Sequence, residues 1–346
     1  MARDEASFST AKGDPEQPWR KRPSTILWVL SLGQLITWGL VYYTFPLFVV
    51  PMERELGWSR DSLYGALSAG LLAGGIYVLV AVGLTLIYGV LHIINFAHGS
   101  LLMLAMYAVF FLWKLSGVDP YVALPIVTAG AFAVGFVLYR GIIGRYSHGK
   151  DENILLITLG VSIVADNAAL LFFGGDTETI DVPYAGKIIE VGAAFLPLPK
   201  VVSFGAALVI CLVLGLFMAR SDTGKAIRAV AKERTGARLV GIDVERIFAI
   251  SYGIGIACLG AAACLLMPTF YVTPQSGYAF VLVAFTIVVL GGMGSFIGAA
   301  VGGFLIGITE SLGGLFLGEQ LGQIGISLIF ILILLFKPTG LFGARS

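Results

Sequence analysis

The chain has 346 residues, of which 58% are hydrophobic and only 12% are charged. Soluble domains carry about 25% charged residues, so this composition excludes an ordinary soluble domain and indicates a protein embedded in lipid. The net charge of +1 gives no indication of a nucleic-acid partner. The three cysteines stand in apolar runs at unrelated spacings, unlike those of a metal or redox site, and no metal or cofactor is predicted.

Apolar runs long enough to cross a bilayer recur along the chain. A transmembrane helix needs about 20 mostly apolar residues, because backbone amides in hydrocarbon must bond within their own helix. The candidate spans are 26–51, 63–92, 99–117, 120–139, 153–174, 201–219, 247–268, 279–292, 297–317 and 322–336. The run at 279–292 is short, and a re-entrant element is the alternative there. The sequence predicts an all-α, polytopic transmembrane helix bundle of about 9–10 spans, without transmembrane strands.

The distribution of lysine and arginine predicts the orientation of the bundle. If the N-terminus lies inside and each run crosses once, seventeen of the 22 basic residues fall on the inner side. The inner segments that hold them are 1–25, 140–152, 220–246 and 337–346. This excess follows the positive-inside rule, so both termini are expected in the cytoplasm and the acidic loop 175–200 is expected outside.

The inner segment 221–247 has the periodicity of helices that lie on the membrane surface. A first helix is predicted over 225–234 and is expected to be interrupted by Gly236. The residues on its apolar face are Ala226, Ile227, Val230 and Ala231. Gly241 is suited to end a second short turn, and Asp243 to cap the next span. Such a pair is typical of a surface that docks into a partner's groove, and equally of a basic loop on anionic membrane lipid.

Four stretches, in order and spacing, resemble the permease subunits of branched-chain amino acid ABC transporters. They are LTLIYGVLHIINFAHG (84–99), the inner segment 221–247, VVLGGMGSFIGAAVGGFLIGITE (288–310) and FKPTGLFG (336–343). The resemblance covers about residues 71–343. It implies a multi-pass permease in the plasma (inner) membrane of a prokaryote. Its partners would be two cytosolic ATPase subunits, a second permease subunit and a periplasmic or extracellular substrate-binding protein.

The same resemblance implies a substrate class and a coupling site. The solute would be a branched-chain amino acid or a similar small polar molecule, with urea or a short amide as the alternative. The family's coupling signature reads E-A-A-x-x-x-G, and here Thr235 and Gly236 replace its acid and first alanine. The residues assigned to ATPase coupling are Gly224, Lys225, Ala226, Arg228, Ala229, Ala237, Leu239 and Gly241.

The first part of the chain departs from that family. The stretch GQLITWGLVYYTFPLFVVPMERELGWSR (33–60) resembles the first span and outer loop of a major-facilitator transporter, a resemblance that covers about residues 24–62. We therefore expect a leader, 1–62, with one transmembrane helix, followed by a permease domain, 63–346. A facilitator-type secondary transporter is a less favoured alternative, because no repeat of six-span halves is found.

Catalytic motifs are missing from the sequence. Gly-Lys pairs occur at 149–150, 186–187 and 224–225, but none is followed by the Ser or Thr of a P-loop. The hydrolase patterns G-x-S-x-G and H-E-x-x-H are absent too. We expect a transport subunit, not an enzyme, with ATP hydrolysed on a separate polypeptide.

Polar residues within spans are candidates for the solute pathway. Asp166 and Asn167 lie in the middle of the run 153–174, where a carboxylate should face a cavity or a partner. The alternative is a structural hydrogen bond to a neighbouring helix. Glu310 lies nearer the outer end of its span, and could instead extend to the headgroup region.

The break between the second and third runs is another pathway candidate. Asn95 and His98 belong to it, and the break is either a re-entrant turn on the route or a tight cytoplasmic turn with His98 exposed to water. The glycines that follow the eighth run have a different interpretation. Gly294, Gly298 and Gly302 are four apart, and small residues at that spacing let helices approach closely.

Overall fold

The computed structural model describes residues 60–147, 151–191, 194–317, 322–337 and 340–342. The predicted span 26–51, and with it nearly all of the predicted leader, lies outside the described residues. The described residues form an all-α bundle, as predicted. Long apolar runs take this form because only helices satisfy their backbone groups within one segment.

Helices make up most of the described chain. In order, the elements are α1 Arg60–Leu91, α2 His98–Ser116, α3 Pro120–Leu138, α4 Asp151–Phe173, β1 Ile188–Val191, β2 Ala194–Pro197, α5 Leu198–Arg220, α6 Asp222–Lys232, α7 Arg234–Leu239, α8 Val244–Leu266, α9 Ser276–Gly291, α10 Phe296–Leu317 and α11 Gly322–Phe336. The α3 helix continues through a π-helical turn, Tyr139–Ile143, and a last turn, Gly144–Tyr146.

Seven of these helices are long and apolar enough to cross a membrane, namely α1 to α5, α8 and α10. The apolar helices α9 and α11 have only 16 and 15 residues, or about 24 and 23 Å at ~1.5 Å per residue. Both are shorter than the hydrocarbon core of about 30 Å. Each predicted run from 63–92 onward corresponds to one of these nine helices, and the short run 279–292 corresponds to α9.

The α1 and α8 helices occupy the centre of the bundle. In each of them 83% of an apolar stretch of 18 residues is buried inside the protein, against 17% of the corresponding stretch in α3 and in α5. Glycines allow the two central helices to meet, since a Cβ on Gly83 would lie 2.5 Å from the carbonyl oxygen of Gly255. The peripheral helices present their apolar side chains outward, where lipid or another subunit covers them.

The outer end contains a short strand hairpin that the sequence analysis did not predict. The β1 and β2 strands pair antiparallel, with Ile188 opposite Pro197. Four-residue strands carry too little alternation to be recognised from sequence. Nearby, the hydroxyl of Tyr184 donates a 2.7 Å hydrogen bond to Asp119. Burial and this bond raise the pKa of Tyr184 above its ordinary value, so the phenol stays a donor.

The inner end of α9 is bonded to Leu341 and Phe342, two residues of the stretch 336–343. The backbone N–H groups of Leu341 and Phe342 donate to the carbonyls of Leu290 and Gly291, at 2.7 and 3.1 Å. Because α9 ends at Gly291, these bonds satisfy carbonyls that the last turn of a helix leaves open. This motif therefore has a structural role next to the short helix.

Candidate functional site

The inner segment folds into two short helices, α6 and α7, which we call the inner helix pair (residues 221–243). Ser221 caps α6, its Oγ accepting a hydrogen bond from the N–H of Gly224 at 2.9 Å. The side chains of Ile227 and Val230 are fully buried against the bundle. Lys225 and Arg228 are exposed on the other side, so the predicted amphipathic face is the face that packs.

Gly224 allows α6 to fold back onto the end of α5. A Cβ at this position would lie 2.6 Å from the carbonyl oxygens of both Phe217 and Met218. Those are backbone atoms and cannot turn away. Any larger residue at this position would therefore push the inner helix pair off its seat.

The interruption between the two helices lies at Glu233 and not at Gly236, which corrects the sequence prediction. Glu233 has extended backbone angles, φ −155° and ψ 103°, and its side chain accepts a hydrogen bond from the N–H of Thr235. It thus ends α6 and caps α7. Gly236 lies inside α7. A single glycine within a helix costs only about 1 kcal/mol relative to alanine, so it does not have to end one.

The end of α7 presents an apolar tip to the inner side. Leu239 is 83% exposed and Val240 is 77% exposed, whereas Ala237 is buried. Gly241 follows with a φ of +88°, as a residue just past a helix end requires. Asp243 then caps α8, accepting from the N–H of Arg246 at 3.1 Å. The tip is held in place by Ala237 but is itself free for a partner.

Arg234 attaches the inner helix pair to the central helix α1, a connection that the sequence analysis missed. Its guanidinium donates to the backbone carbonyl of Leu91, the last residue of α1, at 2.6 Å. It also lies over the ring of Phe248, 5.2 Å from the centroid. Sequence spacing carried no signal for this link, because Arg234 and Leu91 are far apart in the chain.

A cavity of about 830 Å³ opens in the outer half of the bundle, and we call it the outer cavity. Its walls come from α1, α5, α8, α9 and α10. Lys200 lies at the start of α5, and so at the outer end, whereas Tyr77 lies near the middle of α1. The cavity therefore extends from the outer end towards the middle of the membrane.

Three ionisable side chains line this cavity, namely Tyr77, Lys200 and Glu310. Glu310 lies close enough to Tyr77 and to Lys200 on this wall to interact electrostatically with both. Glu310 was predicted as a pathway candidate, and the structure places it on the cavity wall. Tyr77 and Lys200 were not predicted. Only their positions in the fold bring them together with Glu310.

Asn95 and His98 do not line the outer cavity and are buried in the interior of the bundle. The Oδ1 atom of Asn95 accepts from the hydroxyl of Tyr252 at 3.2 Å, and the Nε2 of His98 donates to the carbonyl of Val80 at 3.0 Å. Both side chains are 0% exposed. The expectation of a turn with His98 exposed to water is wrong, because His98 begins α2 inside the protein.

Asp166 and Asn167 lie on α4, outside the outer cavity. The carboxylate of Asp166 accepts a 2.8 Å hydrogen bond from the hydroxyl of Tyr278 on α9. Asn167 donates to the carbonyl of Ile163 on its own helix and is exposed. Asp166 thus has the inter-helix bond that was the alternative interpretation. Asn167 leaves a polar group on the outside of the bundle.

The three glycines chosen for helix packing fall in two environments. A Cβ on Gly302 would lie 3.0 Å from the carbonyl of Ile287, and one on Gly298 would collide with the backbone of Gly291. Both therefore face α9. Gly294 differs, because it precedes α10 in a turn with a φ of +85°. The prediction that Gly294 begins a row of glycines on one helix was therefore wrong.

The chain is similar in sequence to known transport permeases. Residues 66–336 match the family model described as "Branched-chain amino acid transport system / permease component". The high-affinity branched-chain amino acid transport system permease protein BraD of Pseudomonas aeruginosa is 32% identical over 287 residues, which cover 79% of this chain and 94% of BraD. The corresponding protein LivH of Escherichia coli K12 is 30% identical over 292 residues, covering 79% of this chain and 93% of LivH.

A more distant relative comes from an archaeon. The probable branched-chain amino acid transport permease protein LivH of Methanocaldococcus jannaschii is 28% identical over 293 residues, covering 80% of this chain and 91% of that protein. Because the family model and these relatives cover most of its length, the chain belongs to the branched-chain amino acid transport permease family and is an inner-membrane permease subunit of an ABC importer.

Proposed function

We propose that this permease imports a branched-chain amino acid or a similarly small polar solute, and that a separate cytosolic subunit hydrolyses the ATP. The names of the relatives support the solute class, and urea or a short amide is the alternative. In the proposed importer, two ATPase subunits and a second permease subunit complete the membrane complex. A binding protein delivers the solute to the outer side.

The exposed apolar tip of the inner helix pair carries this proposal. Leu239 and Val240 are large apolar side chains on the side of the bundle that the basic residues assign to the cytoplasm. Leaving them in water is unfavourable, and a groove on a partner would remove that cost. The exposed charges of Lys225 and Arg228 would lie at the rim of such a contact.

The other coupling candidates divide between anchoring and contact. Gly224 and Ala237 lie on the buried side and position the pair, and Gly241 shapes the turn behind the tip. Ala229 is exposed, and its small side chain lets a partner approach α6 closely. Ala226 is half-buried between the two sides.

The α1 helix is the proposed route of coupling. Its last residue, Leu91, is bonded to Arg234 of the inner helix pair, and its middle contributes Tyr77 to the outer cavity. These positions are 14 residues apart, or about 21 Å along one helix. A displacement of the helix pair would therefore act on the cavity through a single rigid element.

A second permease subunit is proposed to cover the α4 face. Asn167 is exposed there beside Asp166, in a membrane span. Polar groups within a span are costly when they face lipid. Contact with a second permease subunit would remove that cost and would give both residues a place at the subunit boundary. Residues 1–62 are proposed as a leader distinct from the permease domain 63–346.

Substitution of the tip tests the proposal. In the double variant Leu239→Asp with Val240→Asp, two apolar contacts are lost, which weakens docking by about 3 kcal/mol or more, about a hundredfold in affinity. We expect the ATPase subunit no longer to co-purify, while the amount of inserted permease is unchanged. Ile188→Asp is the matched control, since Ile188 is a 59% exposed apolar residue on the outer side.

Two results of this experiment would count against the proposal. Retention of the ATPase by the double variant, together with normal leucine uptake, would overturn the docking role of the inner helix pair. Loss of the ATPase in the Ile188→Asp control as well would show that the effect is not specific to the inner face.

A further inference from the structure

We infer that the outer cavity is a binding site for a zwitterion, with Lys200 receiving the carboxylate of an amino acid and Glu310 receiving its ammonium group. The inference rests on the proposed function, which makes an amino acid the solute. It adds the site, the residues and the part of the solute that is recognised. The position of the cavity, between the outer end and the middle of the bundle, suits a solute arriving from outside.

The charges in the cavity are opposite but not joined. Within the described ranges, the ion pairs are Lys114 with Glu178, Lys225 with Asp222, and Arg238 with Glu245. Lys200 and Glu310 form no such pair, yet they line the same cavity and interact electrostatically. Two opposite charges held apart across a cavity match the two charges of a zwitterion. A solute could bind without breaking an existing ion pair.

Tyr77 lies beside the acidic half of the site. It lines the cavity together with Glu310, whose carboxylate oxygens can accept hydrogen bonds from an ammonium group. Tyr77 itself packs against Phe280, with ring centroids 6.4 Å apart. This aromatic contact holds the Tyr77 ring in place on the cavity wall.

The rest of the wall is suited to an aliphatic side chain. Ile76, Leu266, Phe270 and Phe280 contribute apolar surface, with the two phenylalanine rings 5.2 Å apart in an edge-to-face arrangement. Small residues such as Ala73 leave the space open. The volume of about 830 Å³ lies within the ~300–1,000 Å³ of small-molecule sites. Urea carries neither charge and would use little of this surface.

Protection of a cysteine on the cavity wall tests the inference directly. Thr269 lines the cavity and is exposed, so in a Thr269→Cys variant the thiol should react with a water-soluble thiosulfonate. The assay uses the permease with its ATPase in nanodiscs, and the unsubstituted chain controls for reaction at native cysteines. Leucine at millimolar concentration should slow the reaction. The probes 4-methylpentanoate, which lacks the ammonium group, and 3-methylbutylamine, which lacks the carboxylate, should not.

Neutral substitutions then assign the charges. Added to Thr269→Cys, either Glu310→Gln or Lys200→Met should raise the leucine concentration needed for protection about tenfold or more, because each removes a bond between charged groups. Lys114→Met is the matched control, as this outer lysine pairs with Glu178 away from the cavity. Equal protection by the acid or the amine, or unchanged protection in both neutral variants, would overturn the inference.

Leucine uptake by the complete importer, measured in parallel, separates this inference from the proposed function. Normal uptake in the unsubstituted importer and in both neutral variants would refute the zwitterion site and leave the proposed solute standing. Uptake of urea but not leucine, with leucine still protecting the cysteine, would refute the proposed solute alone.

Discussion

The inner helix pair and the outer cavity are assembled in opposite ways. The helix pair is one continuous stretch, residues 221–243, with its capping groups, buried face and exposed tip all close in sequence. The outer cavity takes its walls from five helices, between Gly65 and Leu315. The first depends on local pattern, and the second depends on how the whole bundle packs.

This difference fits the two tasks that are proposed for the two regions. A docking surface needs only a stable, local element on the inner face, and it can tolerate changes that leave the tip exposed. A solute site needs groups from several helices, so that helix movements alter its shape. The α1 helix belongs to both regions, through Leu91 and Tyr77.

Among single substitutions in the inner helix pair, the largest effect is expected from Gly224→Val, which tests whether this local region depends on the close packing of α6 on α5. A Cβ would lie 2.6 Å from two backbone carbonyls, and such overpacking costs about 1–3 kcal/mol. We expect ATPase co-purification to fall about tenfold or more, with insertion of the spans unchanged. Gly205→Val is the control, because nothing lies within 4 Å of a Cβ there. Normal ATPase binding in Gly224→Val would contradict the close packing of α6 on α5.

A smaller but more informative effect is expected from Arg234→Met, which breaks the connection between the regions. The variant loses the bond to the carbonyl of Leu91 and the contact with Phe248, worth about 1.5–3 kcal/mol for a bond to a charged group. The ATPase should still bind, but leucine uptake per ATP hydrolysed should fall severalfold.

Arg238→Met is the control for the measurement of leucine uptake per ATP hydrolysed. Arg238 makes an exposed ion pair with Glu245 at 3.5 Å, and exposed pairs contribute only about 0–1 kcal/mol. Its uptake per ATP should stay near the unsubstituted value. If Arg234→Met and Arg238→Met behave alike, α1 is not the element that couples the two regions.

The smallest effect is expected from removal of residues 1–62. The family match begins at residue 66, and the inner helix pair and outer cavity lie beyond the removed segment. Insertion, orientation and ATPase binding should be preserved, and uptake per inserted molecule should stay within about twofold. Loss of uptake in a shortened protein that still binds its ATPase would make the leader a working part of the permease.

The same contrast explains what the sequence could predict. Hydrophobic length located the described spans, and helical periodicity located α6 with its buried face, because both signals lie within one element. Asp243 was recognised as a cap for the same reason. The break at Glu233 was misplaced at Gly236, since a single glycine lowers helix stability by only about 1 kcal/mol and α7 runs through it.

The outer cavity was mostly beyond sequence reasoning. Glu310 stood out as a carboxylate within a span, but Tyr77 and Lys200 are ordinary residues until folding places them beside it. His98 was misjudged because its burial depends on how α2 begins inside the bundle. The Arg234 link to Leu91 is likewise a tertiary contact without a local pattern.

The most direct test of the account measures leucine uptake and ATP hydrolysis in the same proteoliposomes for two variants. One is the Leu239→Asp, Val240→Asp double variant at the inner tip, and the other is Ala73→Leu, which adds a bulky side chain to the wall of the outer cavity. The account predicts that the tip variant loses ATPase binding and uptake together, while Ala73→Leu keeps its bound, hydrolysing ATPase and loses most of its uptake. Unchanged uptake in Ala73→Leu, or a tip variant that still binds and couples its ATPase, would contradict the separation of docking and solute recognition.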